Sequence, residues 1–262
     1  MPETTSTDGT TIAYDQVGSG PAVLLLHGGP MTRQANAGLA AILAEHFTVY
    51  TYDRRGRGGS AGTVEDGVDA EFEDLATMLQ TAGGSAHLYG SSGAAIIALQ
   101  AAARGLPITT LAVWEPPYSA SPDGPRPPAD WGRRIADLIA EDRRGDAVAY
   151  WMTSVIGMPA EMVAGMRHAP FWAGMESEAH GLVADHALIG DFSFDPAILQ
   201  AVKIPTLVMD GGPAAAPPLA AAAAAVAATV PRASRQSLDG QPHNVADDAM
   251  AAALTAYFRS AP

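Results

Sequence analysis

Ala86-His-Leu-Tyr-Gly-Ser-Ser-Gly-Ala-Ala95 runs from a short apolar and aromatic segment, through a cluster of small residues, into the helix-forming run Ala94–Ala103. Its centre, Gly90-Ser91-Ser92-Gly93-Ala94, has G-x-S-x-G spacing with alanine in the last place. A serine third in that pattern sits on a strained strand-to-helix turn, which lifts its hydroxyl above the sheet. Small neighbours are required because the helix packs tightly beneath the turn. The helix N-terminus then favours negative charge developing beside the hydroxyl. Ser92 is therefore the candidate nucleophile, and Ser91 is one place out of register. A Ser-Gly turn without chemistry is the plain alternative, and the flanking strand and helix argue against it.

Working outward, Thr11–Val17, Ala22–His27, Phe47–Asp53 and Ala86–Gly90 read as strands, as do Thr109–Trp114 and Pro205–Asp210, with Ser234–Leu238 weaker. Between them, Glu71–Thr81 carries Phe72, Leu75, Met78 and Leu79 at helical spacing. Near-continuous apolar strands alternating with helices predict an α/β fold, a mostly parallel central sheet flanked by helices. The first strands look like an antiparallel hairpin feeding that sheet. The alternation breaks between Pro116 and about Pro196, where the loop Ser121–Pro128 leads into helical stretches holding Trp131, Trp151 and Trp172 and five methionines. This predicts a core over residues 1–115 and 197–262 with a helical lid, 116–196, inserted. From Pro218 the alanine-rich tract reads as a helix ending before Pro231.

Three further motifs resemble landmarks of the α/β-hydrolase superfamily and fall in its order. Leu24-Leu-Leu-His-Gly-Gly-Pro30 looks like its oxyanion loop, Asp53-Arg-Arg-Gly-Arg-Gly-Gly-Ser60 like its D-x-R-G-x-G-x-S turn, and Gly240-Gln-Pro-His243 like the loop of its catalytic histidine. The resemblance covers nearly the whole chain outside the lid. It implies His243 as the base of Ser92, and an oxyanion hole from the N–H groups of Gly93 and Gly29, with Gly28 allowing close approach. His27 is read as orienting that loop rather than as a second base.

The acid departs from the common family layout. The loop after Pro205–Asp210 reads Gly211-Gly-Pro-Ala-Ala-Ala-Pro217 and offers no carboxylate. Glu115, at the end of the preceding strand, and Asp210, ending its own strand, are the two candidates, and a dyad without an acid is the third possibility. Glu115 is favoured, since some relatives, including certain haloalkane dehalogenases and zearalenone-type lactone hydrolases, take their acid from this earlier strand. The latter also share a Ser-Ser-Gly-Ala elbow. An ionised carboxylate on imidazole Nδ1–H fixes the tautomer and stabilises the imidazolium.

These residues point to a serine hydrolase of a carboxylic ester or lactone, with a hydrophobic small molecule as substrate. Trp151, Met158 and Trp172 are the bulky groups expected to line its pocket. His180 and Asp185 also fall in the lid, where either could contact substrate. A thioesterase, amidase or C–C bond hydrolase would use the same residues, and a binding protein on a hydrolase scaffold is the rival from another class. The formal charge of −13 and the lack of a basic stretch disfavour nucleic acid and anionic membranes as partners. With no cysteine there are no disulfides or thiol chemistry, no metal or other cofactor is expected, and the polar, acidic beginning suggests a cytoplasmic protein.

Overall fold

The computed structural model describes residues 1–63, 66–121 and 124–260; Pro122 and Asp123 of the proline-rich loop lie outside them. Eight strands form one sheet: β1 (Glu3–Thr5), β2 (Thr11–Gly18), β3 (Ala22–Leu26), β4 (Thr48–Tyr52), β5 (Ala86–Ser91), β6 (Ile108–Trp114), β7 (Thr206–Asp210) and β8 (Ala233–Ser237). Their order is β1-β2-β4-β3-β5-β6-β7-β8. Pairing is parallel from β4 across to β8, and antiparallel where β2 joins β1 and β4.

The expected hairpin of the first two apolar runs is corrected here. β2 does not pair with β3, its successor in sequence, but with β1 and β4. The cause is burial. Val23–Leu26 is enclosed on both faces, so both edges of β3 are taken by parallel neighbours, whereas β2 ends in exposed residues that suit the outer part of the sheet.

Side-chain alternation along β3 divides the core. Leu24 and Leu26 pack with α2 (Val68–Thr81), α3 (Gly93–Ala103) and, further along the face, helices after the lid. Val23 and Leu25 face the opposite side, with the α1 (Ala37–Leu43) residues Leu39 and Leu43. Between β6 and β7 come α4 (Trp131–Ala140), α5 (Arg144–Tyr150), α6 (Ala160–Met166), α7 (Trp172–Ser177), α8 (Gly181–Ile189) and α9 (Pro196–Ala201). The first five share a core of their own, built on Trp131, Ile135, Val148, Trp172 and Leu182. Two helices close the chain. α10 (Pro217–Thr229) lies on the α3 face, and α11 (Asp247–Ser260) lies against α1 on the other. No described helix is long and apolar enough to cross a membrane.

Candidate active site

β5 enters the sheet's centre between β3 and β6, and its last residues carry the elbow. Ser92 has φ 55° and ψ −126°, a strained conformation for a non-glycine residue, and Gly93 opens α3 directly behind it. A Cβ on Gly90 would lie 2.6 Å from the Ala94 carbonyl oxygen, so only glycine lets the helix close on the strand here. Ala94 is fully buried and its methyl is accommodated, which explains why alanine serves in the motif's last place. The Gly93 amide belongs to the first turn of α3, whose N–H groups have no intrahelical acceptor.

β6 delivers Glu115 one strand over. Trp114 accepts a hydrogen bond from the Ser92 N–H through its carbonyl (2.9 Å), and its indole N–H donates to the His243 carbonyl (2.9 Å). One residue thus ties the serine turn to the histidine loop. Glu115 follows at φ 42° and is wholly buried. Its Oε2 lies 2.7 Å from His243 Nδ1, and its Oε1 accepts from the Gly211 N–H at 3.1 Å. Asp210 is engaged elsewhere. Its carboxylate accepts from the Gly212 N–H (2.8 Å), Ser237 Oγ (3.0 Å) and Arg235 Nε (2.7 Å), which anchors the ends of β7 and β8. The late loop, lacking a carboxylate, supplies instead an amide that holds the Glu115 side chain. Among the described residues Ser92 and His243 are linked through Trp114 rather than by a direct hydrogen bond. The His243 side chain is 40% exposed, leaving it room to turn, and such contacts often tighten only when substrate binds.

The third wall is the loop after β3. A Cβ on Gly28 would sit 2.9 Å from the Ala94 backbone nitrogen, so the loop approaches the start of α3 as closely as backbone allows. Gly29, at φ 70°, has its N–H directed at the Asp185 Oδ2 of α8, 3.0 Å away. The amide expected to serve the oxyanion hole is therefore held by a buried carboxylate in this structure. His27 is 3% exposed beside Arg54 and Arg57, and burial, with repulsion from those two cations, holds its pKa well below 6.5.

The Alpha/beta hydrolase family model matches residues 23–256. The chain belongs to this family. An α/β-hydrolase from Sphaerobacter thermophilus DSM 20745 is 48% identical, with TM-score 0.89 over 98% of this chain and all of that one. A thermophilic esterase from Thermogutta terrifontis, 22% identical over 99% of this chain and 98% of its own, has TM-score 0.74 and speaks for the fold alone. YraK of Bacillus subtilis (strain 168), an uncharacterized hydrolase, is 38% identical over 95 residues; the match spans about a third (35%) of each chain.

The bulky lid residues of this α/β-hydrolase divide. Trp151 begins a π-helical turn, Trp151–Val155, and its Cη2 would be 3.1 Å from a Cβ on Gly29, so the ring stands over the loop that follows β3. Such π turns often mark functional sites. Trp172 does not line that place. It is buried in the lid's own core, bonded to Glu176 Oε1 (2.6 Å) and covered by the Arg167 guanidinium. Met158 packs on the same lid core. The cause is the amphipathic spacing of the lid helices, which turns most large apolar groups toward each other. His180 Nε2 is 2.5 Å from the Gly56 carbonyl, so it bonds the lid to the D-x-R-G-x-G-x-S turn.

Asp185, expected only as a lid residue within reach of substrate, instead pairs with Arg54 and Arg57, a meeting that the sequence does not announce. The available signal was the two arginines at variable places of the Asp53–Ser60 turn; nothing in the sequence marks Asp185 among the many acids of residues 116–196 as their partner.

The neutral histidines make acid stability testable. Burial also lowers the His87 pKa. For both groups the folded value lies below the unfolded 6.5, so unfolded chains bind more protons once pH falls beneath that value. Stability should be full above about pH 7 and decline below 6.5, by up to about 1.4 kcal/mol per pH unit for each group. Urea melts at pH 7.5 and 5.5 measure this, and identical midpoints would contradict it.

Proposed function

We propose that this protein is a serine hydrolase cleaving the carboxylic ester or lactone of a hydrophobic small molecule through an acyl-enzyme. The observation that carries the reading is the wholly buried Glu115 carboxylate on His243 Nδ1 at 2.7 Å. It sits one strand from a serine on a strained helix-leading turn. Glu115 keeps the imidazole proton on Nδ1 and leaves Nε2 free to take the Ser92 proton. Ser92 Oγ attacks the carbonyl carbon, and the oxygen's new charge is met by the Gly93 N–H at the head of α3, with the Gly29 loop opposite. The imidazolium returns its proton to the leaving alkoxide, which in a lactone stays attached to the acyl chain. Water deprotonated by His243 then attacks the acyl carbon, releasing the acid and restoring Ser92.

A fluorophosphonate probe tests the reading directly. Ser92 Oγ forms the bond to phosphorus, fluoride leaves, and His243 accepts the serine proton. One stoichiometric adduct on the peptide containing Ser92 is expected. Intact protein that never labels and hydrolyses no ester or lactone would leave the non-catalytic binding reading standing.

Substrate choice is assigned to Trp151, whose ring overhangs Gly29. Trp151→Ala should reorder kcat/KM across a p-nitrophenyl ester series by about tenfold in favour of longer acyl chains, the size expected for a vacated apolar pocket wall. Trp172→Ala should keep the wild-type order and lower the melting temperature, because its ring fills the lid core. A reordered series in the second variant, or an unchanged one in the first, would reverse these roles.

A further inference from the structure

Helix α8 lies across both amides assigned to the oxyanion hole. Asp185 and Ile189 are four residues apart and therefore share one face of the helix. Asp185 Oδ2 accepts the Gly29 N–H at 3.0 Å, and Ile189 Cδ1 is 3.5 Å from where a Gly93 Cβ would sit. The carboxylate is 3% exposed, and its other oxygen is gripped by Arg54 Nη1 (2.7 Å) and Arg57 Nη2 (2.9 Å). Arg54 also pairs with Glu71 of α2, and Arg57 donates to the Gly181 carbonyl at the start of α8. Gln100 Nε2, on α3, holds the far end of α8 through the Leu188 carbonyl at 2.8 Å.

We propose that Asp185 is a lid latch, which caps the Gly29 N–H in the closed protein and is displaced when an acyl oxygen binds there. This rests on the serine-hydrolase reading above. One amide hydrogen cannot serve the carboxylate and a developing oxyanion at full strength together, so the two acceptors compete. The arginines make release reversible. Among the described residues Arg54 Nη2 and Arg57 Nε and Nη1 are buried without a hydrogen-bond partner. A small shift of α8 lets the carboxylate move from Gly29 to these spare donors and remain paired, so opening does not strand a buried charge. Burial and repulsion from Arg54 also lower the Arg57 pKa, as expected for a cation short of counter-charge.

Asp185→Asn tests the competition. The single amide oxygen will be taken by the two guanidinium groups, which turns the NH2 toward Gly29, where it cannot accept. Fluorophosphonate labelling of Ser92 should then run about tenfold faster than in the wild type, as for loss of a competing charge-assisted hydrogen bond. Labelling at the wild-type rate or slower, in a variant that melts cooperatively, overturns the latch and leaves the hydrolase reading intact. An adduct on the variant but none on the wild type supports it. If neither protein labels, the parent reading fails and the latch with it. Should the variant not fold, hydrogen exchange on the wild type decides. After labelling, amides of Gly181–Ile189 should exchange faster than before, and unchanged α8 protection in the fully labelled protein would overturn the proposal.

Discussion

Ser92→Ala is expected to abolish turnover while leaving the melting temperature unchanged, with a loss in kcat of at least about a thousandfold on any ester the wild type accepts. In the proposed reaction the serine supplies the attacking oxygen. The strained turn that presents it is held by the Gly90–Ala94 packing and the Ser92 N–H bond to Trp114, neither of which needs the hydroxyl. Ser91→Ala should be far milder, because Ser91 is the last residue of β5, paired with Trp114, and lies outside the turn's third position. His243→Ala should match Ser92→Ala, and the double variant should lose little more than either, since residues acting as one unit do not give additive losses. Steady-state kinetics on the three single variants and the double decide it. Comparable losses from the two serine changes would refute the assignment of Ser92.

The second large effect is expected at Glu115. Glu115→Gln preserves the side chain's shape, and one amide oxygen can still face the Gly211 N–H or His243, but the charge that stabilises the imidazolium is gone. The rate should fall by roughly a thousand- to ten-thousandfold, as expected when tautomer control is lost. Asp210→Asn should instead weaken the fold by about 1–3 kcal/mol, because its carboxylate holds Gly212, Ser237 and Arg235 rather than His243. Urea melts paired with kcat on both variants separate the roles. A Glu115→Gln enzyme with near-wild-type kcat, or an Asp210→Asn enzyme that is stable and inactive, would exchange them.

The α/β architecture was legible because its signals are local. Apolar runs such as Ala22–Leu26 mark strands buried on both faces, and the small residues around Ser92 suit a strained turn on which a helix closes tightly. The strand order was not legible in the same way. Whether β2 lies beside β3 or β4 depends on which edges remain free once the central strands have paired, and no residue of β2 states that.

The same division holds at the site. By itself the sequence singled out Ser92, His243 and two rival carboxylates as candidates, since motif spacing and strand ends are properties of short segments. Only the tertiary structure separates the surroundings of the two carboxylates, because Asp210 points to β8 and Glu115 to the histidine loop, a difference of side-chain direction at adjacent strand ends. It alone also showed Trp172 turned into the lid core while Trp151 overhangs Gly29, as helices of mixed polarity bury whichever face meets a neighbour. Asp185 is the extreme case. It is separated from Gly29 by 156 residues and from Arg54 by 131, and its meaning arises only when burial brings a carboxylate, two cations and one amide to the same place. In water such charges interact weakly at any sequence separation. Removed from water, they constrain each other.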